Sequence, residues 1–325
     1  MNKIKQVVLW GHKLHSHTHS YIHNAFYIAF KHLGYKTLWL DNNNDFKIND
    51  FSQPLFINEN NEPTIIDFSE TLFITEGQVD QNIPINKTAY YILHNCNMEK
   101  YSSLPIENYI ILQVYTNDVI NKHKAIEIDK STLTYFKDHT LYMPWATDLL
   151  PEEINRNIEK VKSGEFKIEN MISFVGSMTR PWLYVKQFCE TKNIQFECYG
   201  GNSRNLSIED NISLTQKSIL APAFQDDWQS ANGYIPCRIF KNISYGKMGI
   251  TNNPTVYELY NREILFDNNI FNALQKGLIF EKFPDEKKKE TIIKLMEITR
   301  DKHTYLNRIE QLFHFLHMDR NIKIE

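Results

Sequence analysis

The stretch Asn232–Asn253, NGYIPCRIFKNISYGKMGITNN, holds the side chains best placed to bind an anion. Pro236 suits the first position of a helix, where its missing N–H costs nothing, and Gly246 suits the position just past the end. Arg238 and Lys241 then fall in the first turns, three residues apart and on one face. Cations at a helix N-terminus oppose its dipole, so an isolated helix would not favour them there. With an anion present the free N–H groups, the dipole and both cations all attract it. The pattern predicts a phosphate or diphosphate site at the start of this helix.

A second concentration of chemistry is GHKLHSHTHSYIH, which carries His12, His15, His17, His19 and His23 after an apolar run. Histidine accepts a proton from a hydroxyl near neutral pH. His17 and His19, deep in this loop, are the leading candidates for a general base, and Glu76 is the carboxylate competitor. The same loop supports a rival chemistry. His17-Thr-His19 resembles the H-x-H metal motif of amidohydrolase and PHP-type phosphoesterase barrels, which would imply a metal-dependent hydrolase or phosphoesterase. Such a site needs further N or O ligands from other strands. His94, His123 and His139 are available, but no second H-x-H follows residue 140. A barrel of eight βα units also does not match the two smaller sets of elements below.

Those elements are legible from periodicity. Gln6–Trp10 is an apolar run that predicts a buried strand. A helix is expected over Ser20–His32, with Ile22, Phe26, Ala29 and Phe30 on one stripe and Gly34 as terminator. Lys36–Asp41 is a second strand, so the chain opens with a βαβ unit and parallel strands. Further strands are expected at Thr71–Thr75, Ala89–Leu93 and Tyr109–Val114. Thr140–Glu153 mixes Pro, Trp and Asp and predicts a domain boundary. The grammar then restarts. Met171–Met178 is a strand ending in Gly176-Ser177, followed by a helix over Pro181–Lys192. Ile194–Gly201 is a strand ending in Gly200-Gly201, followed by a helix over Ile208–Lys217. Ser218–Phe224 and Gly249–Asn252 are strands, TVYELY is a short helix, and the C-terminus is helical. The expected fold is α/β: two Rossmann-like domains facing a cleft, over residues 1–148 and 149–302, with a last helix, 303–325, crossing back to the first. In open α/β sheets ligands bind beyond the carboxyl ends of the strands, so the loops after strands carry the interest.

The run Arg238 to Gly246, the strand ending Thr251-Asn252-Asn253, and Val256-Tyr257-Glu258-Leu259 together resemble the C-terminal donor-binding motif of GT-B glycosyltransferases (group 1-like). The likeness is best over residues 171–280 and only architectural over 1–150. It implies transfer of a sugar from a nucleotide-diphosphate sugar to a hydroxyl acceptor (a glycan, a lipid or a small molecule), with no cofactor and no obligatory metal. Arg238 and Lys241 would hold the donor diphosphate, helped by Gly176, Ser177 and Asn242. Tyr199, Gly200, Gly201, Phe224 and Gln225 would hold the base, and Asn252, Asn253 and Glu258 the ribose or sugar hydroxyls. His12, His94 and Asn95 would stand on the acceptor side. Many retaining members carry a ribose-binding Glu where Lys241 stands. A cation cannot accept hydroxyl hydrogen bonds, so the departure favours inversion. Two relatives of this reading keep the fold but change the function: a sugar-nucleotide 2-epimerase, and an inactive nucleotide-binding subunit.

Composition bounds these readings. The 325 residues are 42% hydrophobic and 23% charged, with net charge -3. The lack of a basic excess argues against a dedicated nucleic-acid binder. Cys96, Cys189, Cys198 and Cys237 show no C-x-x-C spacing, which predicts reduced thiols and a cytoplasmic protein. No apolar stretch approaches a membrane span. Lys287–Lys289 predicts a solvated face, with peripheral contact to anionic lipid as the alternative. The sequence sets no oligomeric state.

Overall fold

The computed structural model describes residues 3–11, 13, 18–40, 55–57, 62–76, 83–94, 108–115, 126–137, 140–200, 206–320 and 323–324. The chain divides into two compact units. One comprises Met1–Val114, Val119–Met143 and Arg308–Glu325, the other Tyr115–Asp118 and Pro144–Asn307.

The first unit is built on an open eight-stranded sheet. It begins with β1 (Gln6–Trp10), α1 (Thr18–His32) and β2 (Lys36–Leu40), followed by β3 (Thr71–Glu76), β4 (Tyr90–His94) and β5 (Tyr109–Gln113). These strands are parallel in the order β2-β1-β3-β4-β5. Every residue of β1 and β4 is buried, which is why both read as continuous apolar runs rather than alternating ones. Ile22, Phe26, Ala29 and Phe30 of α1 are buried as their spacing predicts, and Gly34 ends the helix with φ 84°. A strand extension absent from the expectations follows: β6 (Ile126–Asp129), β7 (Thr134–Lys137) and β8 (Thr140–Tyr142). β8 runs parallel to β5, and β7 is antiparallel to both β8 and β6.

The second unit opens with α2 (Pro151–Ser163), also unforeseen, and then β9 (Met171–Val175), α3 (Arg180–Lys192), β10 (Gln195–Tyr199) and α4 (Ile208–Lys217). β9 and β10 are parallel. The expected strand over Ser218–Phe224 is instead broken into separate bridges, Ser218 with Glu169 and Pro222 with Ile250. Pro222 has no N–H to donate to a ladder. The segment still fills its place in the sheet, because Ile219 N donates to Met171 O (2.8 Å) and Ala223 N to Ile250 O (2.9 Å). Beyond it come α5 (Asp227–Ala231), α6 (Cys237–Ser244), β11 (Ile250–Thr251), α7 (Pro254–Leu259), β12 (Leu265–Phe266), α8 (Ile270–Phe280), α9 (Asp285–Lys302) and α10 (Tyr305–Arg320). β11 and β12 are parallel. The lateral order, β10-β9-(218–224)-β11-β12, repeats that of the first five strands of the other unit. Among the described residues neither sheet closes into the barrel that the H-x-H reading requires. Among the described residues no helix is long and apolar enough to cross a membrane.

Candidate functional site

In a 2-1-3-4-5 sheet the order reverses between the first and third strands, and ligands bind at the carboxyl ends there. In the second unit that point is the end of β9. Arg238 reaches it from the second residue of α6. Its Nη2 donates to Val175 O (3.1 Å), and its guanidinium carbon lies 4.6 Å from the Phe174 ring centre and 5.2 Å from that of Trp182. Phe174 and Trp182 are themselves stacked, 3.6 Å apart at 17°. A guanidinium against aromatic faces keeps its charge and loses its freedom.

Two glycines make room for this arrangement. Gly176 has φ 155°, and a β-carbon there would lie 2.7 Å from Phe174 Cζ and 3.1 Å from Arg238 Nη2. A β-carbon on Gly200 would fall 1.8 Å from Gly176 O, so the loops after β9 and β10 touch backbone to backbone. Ser177, beside them, is exposed. Gly201 lies outside the described residues.

Lys241, three residues on, has a different partner. Its Nζ stands 2.7 Å from Asp148 Oδ2, with side chains only 13% and 9% exposed. Tyr245 Oη donates to Asp148 Oδ1 (2.7 Å). Burial works against the lysine charge, but the Asp148 carboxylate outweighs it and Lys241 is held above its ordinary pKa. Burial and Asp148 likewise push the Tyr245 phenol well up. Asp148 was missed in the sequence because it sits in a segment with no periodicity. Its one signal was a lone acid within an otherwise apolar run, PWATDLL.

Behind these cations the loop after Phe224 is locked to the loop after β11. Gln225 N donates to Asn252 Oδ1 (3.1 Å), and Asn252 Nδ2 donates to Gln225 O (2.9 Å). Asn253 Nδ2 donates to Gln225 Oε1 (3.0 Å), while its Oδ1 caps α7 by accepting from Thr255 N (2.8 Å). Gln225 is buried, and its Nε2 has no hydrogen-bond partner among the described residues.

Several expected site residues have other employment. Phe224 is a core side chain, packed with Ile172, Phe174 and Trp182. Asn242 is a buried strut whose Nδ2 donates to Ala221 O (2.8 Å), holding α6 to the proline-broken segment. Glu258 points to solvent and pairs with Arg262, one helical turn on, at 2.9 Å. Tyr199 Oη donates to Glu197 (2.7 Å).

In the first unit Glu76 and His94 are register partners at the carboxyl ends of β3 and β4, and His94 is buried. His19 lies in the first turn of α1. The side chains of Glu76 and His19, and the whole of His12, His17 and Asn95, lie outside the described residues. Among the described residues no group of His, Cys, Asp or Glu is arranged to hold a metal.

This architecture has a counterpart among solved structures. A structure described as "alpha-glucosyltransferase in complex with UDP and a 13-mer DNA containing a HMU base" superposes with a TM-score of 0.52 over 95% of this chain and 98% of that one, at 9% identity. The fold is GT-B. An "alpha1,3-Fucosyltransferase with GDP" covers 97% of this chain and 90% of its own, at 12% identity, with a TM-score of 0.46 that is too low to add to the first. No protein-family model and no curated protein matches the sequence. On the GT-B frame, Arg238 occupies the switch point of the C-terminal unit.

Proposed function

We propose that this chain is a glycosyltransferase that moves a sugar from a nucleotide-diphosphate sugar to a hydroxyl, with inversion and without an obligatory metal. The observation that carries the reading is Arg238, fixed by Val175 O and the Phe174–Trp182 pair at the carboxyl end of β9. In the reaction the acceptor oxygen bonds to the anomeric carbon while the bond from that carbon to the diphosphate oxygen breaks. The acceptor proton passes to a base, and the leaving diphosphate gains charge.

Preorganised cations and N–H groups stabilise such charge more than they stabilise the ground state. Arg238 serves as the main electrostatic partner of the diphosphate, with Ser177 and the loop amides around Gly176 and Gly200 beside it. Lys241 contributes through a charge that Asp148 already partly neutralises. The open Nε2 of Gln225 supplies a buried donor to the nucleotide, since a buried unmet donor costs about 1–3 kcal/mol until an acceptor arrives. His17, His19 and Glu76 stand as the candidates for the base. Nucleotide identity follows from the same experiment that tests the reading.

That experiment is a thermal-shift panel with UDP, GDP, CMP and dTDP, each with and without EDTA, on the wild type and Arg238→Ala. A ligand that binds only the folded state raises its stability. A rise with one nucleotide, indifferent to EDTA and lost in Arg238→Ala, is expected. A nucleotide response that Arg238→Ala leaves intact would sink the placement of the diphosphate, and a response abolished by EDTA would sink the metal-free reaction.

A further inference from the structure

The loop between Gln225 and Tyr234 carries a second feature, distinct from the cations. Trp228, on the short α5, is 63% exposed. Tryptophan is highly buried on average, and this one is not a loose side chain. Its ring meets that of Tyr115 edge-on at 5.4 Å and 66°. Tyr115 in turn leans on Tyr234 at 5.5 Å. The three aromatics form a row within the second unit that starts at the surface with Trp228 and ends at Tyr234, three residues before the start of α6.

The charges around this row narrow what it can hold. Asp226 caps α5 by accepting from Gln229 N (2.7 Å). Burial first, and then the Asp226 charge, push the Tyr115 phenol up. Asp227 is exposed at the next position, and its charge adds a little to the raised pKa of Arg180, which comes mainly from the hydrogen bond to Tyr184. A bare indole beside two carboxylates repels a phosphodiester backbone, whose binding depends on neutralising cations. It suits a neutral ring with one apolar face and a rim of hydroxyls, where the face stacks on the indole and carboxylates accept from the hydroxyls.

We propose that Trp228, backed by Tyr115 and Tyr234 and flanked by Asp227, is a carbohydrate-binding shelf that takes a pyranose ring of the acceptor, so that the acceptor is a glycan. The inference rests on the transferase reading above and names its acceptor class.

The test uses the full chain on an array of immobilised neutral oligosaccharides, with single-stranded DNA spots on the same slide and saturating UDP or GDP in the buffer. Wild type, Trp228→Ala, Trp228→Phe and Asp227→Asn are compared, and nucleotide affinity is measured for each in solution. Because Trp228 is exposed, the variants are expected to fold, and their melting temperatures check this. The expected result is a set of oligosaccharides bound by wild type, weakened about tenfold in Trp228→Ala and largely kept in Trp228→Phe, with nucleotide affinity unchanged. No oligosaccharide bound, equal binding by Trp228→Ala, or capture of the DNA spots instead would overturn the proposal. Loss of nucleotide binding in Trp228→Ala would also overturn it, by assigning the indole to the donor base. Failure of the wild type to bind any nucleotide is a failure of the transferase reading and is scored separately.

Discussion

Lys241 Nζ and Asp148 Oδ2 stand 2.7 Å apart across two nearly buried side chains, on a helix whose start was expected to present two open cations. The site therefore has one cation committed to an acid of its own chain and one, Arg238, committed to a carbonyl and two aromatic rings. Removing one partner of such a pair leaves a buried charge uncompensated, at a cost of about 3–5 kcal/mol. Asp148→Asn and Lys241→Met are each expected to lose that order of stability in urea unfolding. The double variant is expected to lose clearly less than the two singles together. Additive losses would mean that the pair does not interact as the geometry requires.

Arg238→Ala is expected to lower turnover by about 100–1000-fold, as for the loss of one preorganised donor to transition-state charge. Arg238→Lys should recover little, because an ammonium cannot lie flat on Phe174 while reaching Val175 O. The check is steady-state kinetics beside a melting curve, with the kinetic loss far exceeding the thermal one.

Gly200→Ala puts a β-carbon 1.8 Å from Gly176 O, which is backbone and cannot swing away. The two loops must part, at a cost of about 1–3 kcal/mol. Nucleotide affinity should fall with stability, since the displaced loop adjoins Arg238. A variant with unchanged melting temperature and unchanged affinity would contradict the close approach.

Lys247 gives a pH signature. It is buried, its Nζ donates to Ser218 O, and burial lowers its pKa to about 8 from 10.5, with Glu281 opposing the shift. Below pH 8 both folded and unfolded states hold the proton and the native state carries the full penalty. Between pH 8 and 10.5 the unfolded state binds more protons, so this residue's contribution to stability rises with pH. The difference amounts to about 3 kcal/mol at most. Stability of the wild type relative to Lys247→Met, followed from pH 7 to 10.5, should climb through that window. A flat difference would mean that Lys247 keeps its ordinary pKa.

The sequence carried the βαβ opening, the two-part α/β organisation and the helix from Ile208 to Lys217, because these rest on period and terminators. Gly34 and Pro236 act locally, and local signals survive without knowledge of the fold. The break in Ser218–Phe224 was visible in Pro222 but not its consequence, since the apolar run alone reads as a strand. Arg238, Gly176 and Gly200, all singled out in the sequence, do lie together at the ends of β9 and β10. Asp148, the burial of Phe224 and the strut made by Asn242 were not, because each depends on a partner between 21 residues and nearly a hundred away. Spacing on one helix places two cations on one face, but it cannot say what faces them.

The last helix belongs to both units by sequence, since Tyr305–Asn307 counts with the second and Arg308 onward with the first. Phe313 meets Phe30 and Tyr35, and Phe315 meets Phe136 at 4.3 Å. The unit synthesised first is thus finished last. While the chain emerges from the ribosome, residues 1–143 must wait with an unfilled apolar face until residues 308–325 arrive, after everything needed for the second unit has been made. The first unit therefore cannot be completed in the usual amino-terminal-first order, because part of its core is made after the second unit.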